Sequence, residues 1–342
     1  KNGKGAVVGY DNGSKNPAVN SYYLTGAASK GVGGGTAQGD KGAMPLTDAQ
    51  LKSWAAAYAL NGGKLGAAGT WTTGGASYPT FGELAAAPDW SEIGAGVDAG
   101  LIDSKPVPDA SGLYSISSPA QFAWIAYMVT GGKLDASLKM ALAKDIDLSG
   151  TEFGGSVGTA GTAADYDTCL LWKPISTFSG NFDGASFAVE NLRADAASGD
   201  QGLVRTLSGG TVANLSVASG SVQSVGYAGA VAATVSSGAT ISGCSTDADL
   251  TVSGAALAGG ITGCYLGGSA KVEKCVNAAS VVSDGEAGGI VGAAYNGGTL
   301  SIENCANLGK VETKSLNTGT AVGKNRAAGI FGRTDFVLGG SQ

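Results

Sequence analysis

Histidine is absent from all 342 residues. That excludes His-based catalytic triads, histidine general bases and HExxH-type zinc sites from this chain. Proline is scarce at 8 residues, and charged residues make up only 14 %. With a net charge of −6 and no Lys/Arg cluster of the kind that tracks phosphates, nucleic acid is not an expected partner. The longest apolar runs, such as Ala120–Val129, fall far short of a bilayer span, so no membrane insertion is expected. The five cysteines form no CxxC pair and offer no converging zinc ligands. No metal or other cofactor is expected.

What is abundant is small. Gly accounts for 59 residues, more than twice its usual share, and the low Pro content excludes collagen. Small residues suit stacked coils, whose corners need positive φ and leave little volume. The chain is organised around Ala239 to Asn307, where one pattern is written three times. Ile241-Ser-Gly-Cys244, Val272-Glu-Lys-Cys275 and Ile302-Glu-Asn-Cys305 repeat at spacings of 31 and 30 residues, and Gly259-Gly-Ile261 and Gly288-Gly-Ile290-Val-Gly292 close the first two units. A period of this length signals a solenoid, a propeller or an array. Three short apolar runs per unit are too few for a propeller blade and carry no helical period. The expected fold is all-β: a parallel β-helix with three strands per coil of about 30 residues. Cys244, Cys275 and Cys305 should then stack inside on successive coils as a ladder of reduced thiols, because buried free cysteine behaves as a small hydrophobe.

Two helices interrupt the β pattern. Thr47-Asp-Ala-Gln50 and Ser118-Pro-Ala-Gln121 are capping boxes, each followed by apolar residues at helical spacing and stopped by Gly-Gly, at Gly62-Gly63 and Gly131-Gly132. They predict helices over 47–60 and 118–129, each covering an open end of a β-helix. The Pro-punctuated stretch 85–110 is expected as a linker between residues 1–84, the end of one β-helix domain, and 111–342, a second one with Cys-bearing repeats over 211–342. Gly5-Ala-Val-Val-Gly9 matches the later Gly-Gly-Ile-Val-Gly strand, so the chain is expected to be a fragment of a longer protein.

Taken as a set, Asp145-Ile-Asp-Leu148, Trp172-Lys-Pro-Ile175, Phe178-Ser-Gly-Asn-Phe182-Asp-Gly184 and the repeated IxxC…GGIVG resemble surface proteins of Gram-positive bacteria that carry GLUG-type repeats. The pattern departs at Ser21 and Leu215, where a Cys is often found. The resemblance implies a secreted, wall-attached, right-handed β-helix used as adhesin or stalk. Related repeats also accompany the catalytic domains of some immunoglobulin-A-cleaving metalloproteases, but no metal or catalytic motif of those proteases occurs here.

The expected role is therefore a non-enzymatic extracellular module that presents or binds host glycans or matrix proteins. Its candidate contacts are Lys314, Asn317, Lys324 and Asn325 in an insertion over 312–325, with Tyr265 and Tyr295 aligned on one rim. Loops on rigid scaffolds carry function more often than the scaffold does. The alternatives are a carbohydrate-active β-helix, a lyase or hydrolase, for which Asp247, Asp249, Asp284 and Glu286 are the nearest thing to paired carboxylates, and, from the resemblance, an accessory repeat region of a secreted immunoglobulin-cleaving protease. Calcium at Asp165-Tyr-Asp167 matches no known loop.

Overall fold

The computed structural model describes residues 20–30, 43–65, 70–73, 77–158, 163–196, 199–314 and 326–334. It divides into two compact units, Lys1–Ala87 with Glu92–Lys105, and Pro88–Ser91 with Pro106–Gln342.

In the first unit, Ser21–Leu24 pairs in parallel with Ala43–Leu46, and Trp71–Thr72 pairs antiparallel with Thr80–Phe81. No stack of coils occurs among its described residues. The capping box is present: Thr47 accepts from Gln50 N, and the Gln50 side chain accepts from Thr47 N. The expected single helix is broken in two, however, into α1 (Asp48–Leu51) and α2 (Trp54–Leu60). Ser53 is the reason. Its extended backbone, at φ −76° and ψ 157°, and its hydroxyl, which accepts from Ala56 N, make it a second N-cap.

The stretch 85–110 is folded rather than an open linker. It contains α3 (Trp90–Asp98), whose Trp90, Ile93 and Val97 are buried. Their spacing of three and four residues is the helical stripe that the surrounding prolines obscured.

The second unit is the solenoid, about six coils of stacked parallel strands. The three expected ladders are there. The first runs from Leu113–Ile116 through Thr211–Ala213 to Gly298–Glu303, the second from Ile146–Asp147 through Ser245–Gly254 to Val311–Thr313, and the third from Ile175–Phe178 to Phe331–Thr334. Met140, Phe182, Val212, Ile241, Val272 and Ile302 stand in one register column of the first ladder, so the repeated apolar position does stack coil on coil. Between the second and third ladders lies a fourth, narrow one: Tyr227–Gly229, Leu257–Gly259, Glu286–Gly288 and Arg326–Ala328. The Gly-Gly-Ile motif is thus a corner between two ladders and not the middle of one strand.

That corner requires glycine. A Cβ on Gly259 would overlap the Thr262 carbonyl and stand 2.6 Å from Gly292 N; on Gly288 it would overlap the Val291 carbonyl and stand 2.7 Å from Gly332 N. The narrow ladder of each coil therefore lies backbone to backbone on the third ladder of the next. A second ladder of side chains reinforces the stack. Thr246, Asn277 and Asn307 share one register column; the Thr246 hydroxyl donates to Asn277 Oδ1, and Asn277 Nδ2 donates to Asn307 Oδ1 at 2.7 Å. Asn277 is fully buried and satisfied, as a buried amide must be.

Helix α4 (Pro119–Thr130) starts at Ser118, whose hydroxyl accepts from Gln121 N, and stops at Gly131. Most of it is apolar and buried, Phe122 to Ala126 with Met128 and Val129, and Phe122 stacks on Trp172 at 4.7 Å. The Thr130 hydroxyl accepts from Ser176 N on the terminal strand of the third ladder, so that edge is not left bare.

Gly292→Ala tests the corner. Its Cβ would press on the Gly263 and Ala258 carbonyls, neither of which can give way, and we expect a loss of about 1–3 kcal/mol of stability. Gly329 has open space around it, so Gly329→Ala should stay within about 0.5 kcal/mol. Denaturant melts of the two variants check the difference.

Candidate ligand pockets beside Trp90

The residues singled out in the repeats fall apart as a binding set. Tyr265 is fully buried, its hydroxyl donating to Gly268 O at 2.7 Å, because its β-strand register places it opposite Ala294 rather than Tyr295. It shares no rim with Tyr295, which is half-buried with the Arg333 guanidinium 5.9 Å from its ring centre. Lys314 is exposed. Asn317, Lys324 and Asn325 lie outside the described residues.

Cys244, Cys275 and Cys305 are free thiols at successive coils, the first two buried and the third half-buried. The pairing of Ser245 N with Leu215 O, Val276 N with Cys244 O and Ala306 N with Cys275 O places Leu215 in the same column, in the position of a cysteine. A hydrogen bond with Cys244, then burial, push the Cys275 thiol up; burial does the same to Cys305. Such thiols are inert.

The acidic candidates also separate. Glu286 is buried and held by Arg333 at 2.8 Å. Asp284, Asp247 and Asp249 are exposed, and the Asp249 carbonyl accepts from the Tyr166 hydroxyl at 2.8 Å where the strand bulges. No group of three His, Cys, Asp or Glu able to hold a metal ion occurs among the described residues.

Two pockets in the second unit are both lined by Trp90. The first, of about 170 Å³, is lined by Trp90, Trp172, Tyr127, Ala123 and Ala126, with Lys173 at its rim. Both indole N–H groups are engaged away from it, Trp90 Nε1 donating to Leu148 O and Trp172 Nε1 to Leu203 O, so the rings present carbon only. A cavity of about 150 Å³ holds benzene, so this one has room for a single ring. Lys173 faces Asp89 at 3.6 Å, and Asp89 also accepts from the Ser91 hydroxyl.

The second pocket, of about 200 Å³, is polar. Lys144, Asp145, Asp147, Ser149 and Glu152 line it, with the Trp90 and Phe153 rings meeting edge to face at 5.9 Å. Two of its carboxylates are fixed. Asp145 Oδ1 accepts from Ala188 N at 2.8 Å, and Asp147 Oδ1 accepts from Ser149 N and Asn191 Nδ2, both at 2.8 Å. Sequence reasoning missed this site because it joins segments that are distant in the chain. The signal that could have found it is Asp145-Ile-Asp147-Leu-Ser149, whose alternation sends both aspartates to one face.

Glu190 pairs in register with Asp147. Burial, then the Asp145 and Asp147 carboxylates, hold it above the ordinary carboxylate range. The folded chain then binds this proton more tightly than the unfolded one. Its stabilising contribution is full below the ordinary glutamate pKa of about 4.3 and is lost as the pH rises through the raised value. Glu190→Gln should therefore raise the melting temperature by about 2 °C more at pH 7 than at pH 4. Thermal melts at both pH values check this; an equal difference would contradict it.

No protein-family model matches this chain, and no curated protein matches it. Among solved structures, a crystal structure from Bacteroides ovatus described as a "putative immunoglobulin A1 protease" matches with a TM-score of 0.41 and 18 % identity, covering 70 % of this chain and 88 % of that one.

Proposed function

We propose that this chain is a non-catalytic extracellular module of a bacterial surface protein, of the GLUG-repeat kind, that recognises a glycan at the pockets beside Trp90. The observation that carries the reading is the pairing of those pockets. One offers aromatic carbon and the other offers fixed carboxylates with a lysine, and Trp90 lines both. Sugars present the same two chemistries, apolar C–H faces and hydroxyl edges. Both pockets sit in the folded body of the solenoid unit, where little ordering cost accompanies binding. The secreted, wall-attached setting rests on the resemblance of the DIDL, WKPI and GGIVG segments to GLUG-type repeats.

Immobilised glycans and matrix proteins, probed with the full chain, test this. We expect retention by one glycan class, a loss of about 2 kcal/mol of affinity on Tyr127→Ala, and no product from polysaccharides or immunoglobulins. Turnover of any of these, or retention by matrix proteins alone, would overturn the reading.

A further inference from the structure

The polar pocket carries more than a cluster of acids. Ser149 lines it, is 1 % exposed, and its hydroxyl has no hydrogen-bond partner. An unpaired buried hydroxyl is a standing cost, and each such group in a folded protein calls for an explanation. Lys144 and Glu152 line the same pocket, both exposed, and neither makes an ion pair among the described residues. One donor and one acceptor thus converge on a space of about 200 Å³, with the unpaired Ser149 hydroxyl buried in its wall and beside carboxylates whose orientation the Ala188, Ser149 and Asn191 donors already set. A metal does not answer this set. The described residues hold no three-ligand group, and a lysine ammonium among the lining residues opposes a cation.

We propose that this pocket seats one pyranose unit of the glycan, its C–H face toward Trp90 and its hydroxyls donating to Asp145, Asp147 and Glu152 while Lys144 donates to its oxygens. The assignment rests on the glycan reading above and names where the sugar sits. A pyranose supplies what the pocket lacks. It is neutral, so it leaves the carboxylates charged. It carries hydroxyls that both donate and accept, and so can meet a fixed carboxylate and an ammonium at once. Its axial C–H groups suit the face of an aromatic ring. An apolar ring would leave Lys144 and Glu152 without partners, and an anion would face three carboxylates.

Saturation-transfer NMR on the full chain with methyl pyranosides at millimolar concentration reads this directly. The expected result is transfer to the ring protons of at least one pyranoside, weakened about tenfold by Glu152→Gln and by Lys144→Ala with melting temperatures unchanged. Ser149→Ala separates site from scaffold: deleting an orphaned hydroxyl buried in the wall should raise the melting temperature and leave sugar binding unchanged. Pyranosides or immobilised glycans that bind the Glu152 and Lys144 variants as tightly as the parent would overturn the pocket assignment and leave the glycan reading standing. If neither pyranosides nor immobilised glycans bind the parent chain, both fall together.

Discussion

Where the narrow ladder of one coil rests on the third ladder of the next, backbone meets backbone. Gly259 against Gly292 and Gly288 against Gly332 leave no room for a methyl group. Everything outward of that contact depends on it. The corner directs the chain from narrow ladder to third ladder, the third ladder sets the pitch, and the pitch brings Ile241 over Val212 and Asn277 over Thr246. A Cβ at one corner would shift each of these columns, because interiors packed at crystal density transmit strain.

The stack has two kinds of content. Apolar columns supply the burial, while the Thr246–Asn277–Asn307 column supplies register, since a coil slipped by one residue would leave buried amides unpaired. The thiol column belongs with the first kind. At the terminal strand of the third ladder the repeat gives way to α4, and there the chain spends its large aromatics: Phe122, Trp172 and Phe182 pack together, and Trp90 lines two pockets. The repeats themselves are small-residue scaffold. Chemistry accumulates where the repetition is broken, which is where side chains of different kinds can converge.

Much of the scaffold was legible in the sequence. The Ile-x-x-Cys period predicts parallel stacking, and both capping boxes mark real helix starts. The narrow ladder was not legible, because Leu257-Ala-Gly259 and Thr262–Tyr265 read as one apolar run until the Gly-Gly corner is seen to fold it. Tyr265 could not be placed from spacing alone, since a shift of one residue decides between core and rim. The pockets were the least legible of all. Trp90, Asp147 and Ser149 each carry an ordinary local explanation, and only the fold brings the indole, the carboxylate and the hydroxyl together around one pocket.

If recognition is built into this scaffold, the polar pocket is formed before any ligand arrives. The amides of Ala188 and Ser149, which hold Asp145 and Asp147, report on that directly. Hydrogen exchange of the free chain should find both as slow as the amides of the first ladder, such as those of Thr211–Ala213 and Ala239–Ser242. Exchange at Ala188 and Ser149 near the rate of an unstructured peptide, with the ladder still protected, would show that the carboxylates are not held and would contradict a preformed site.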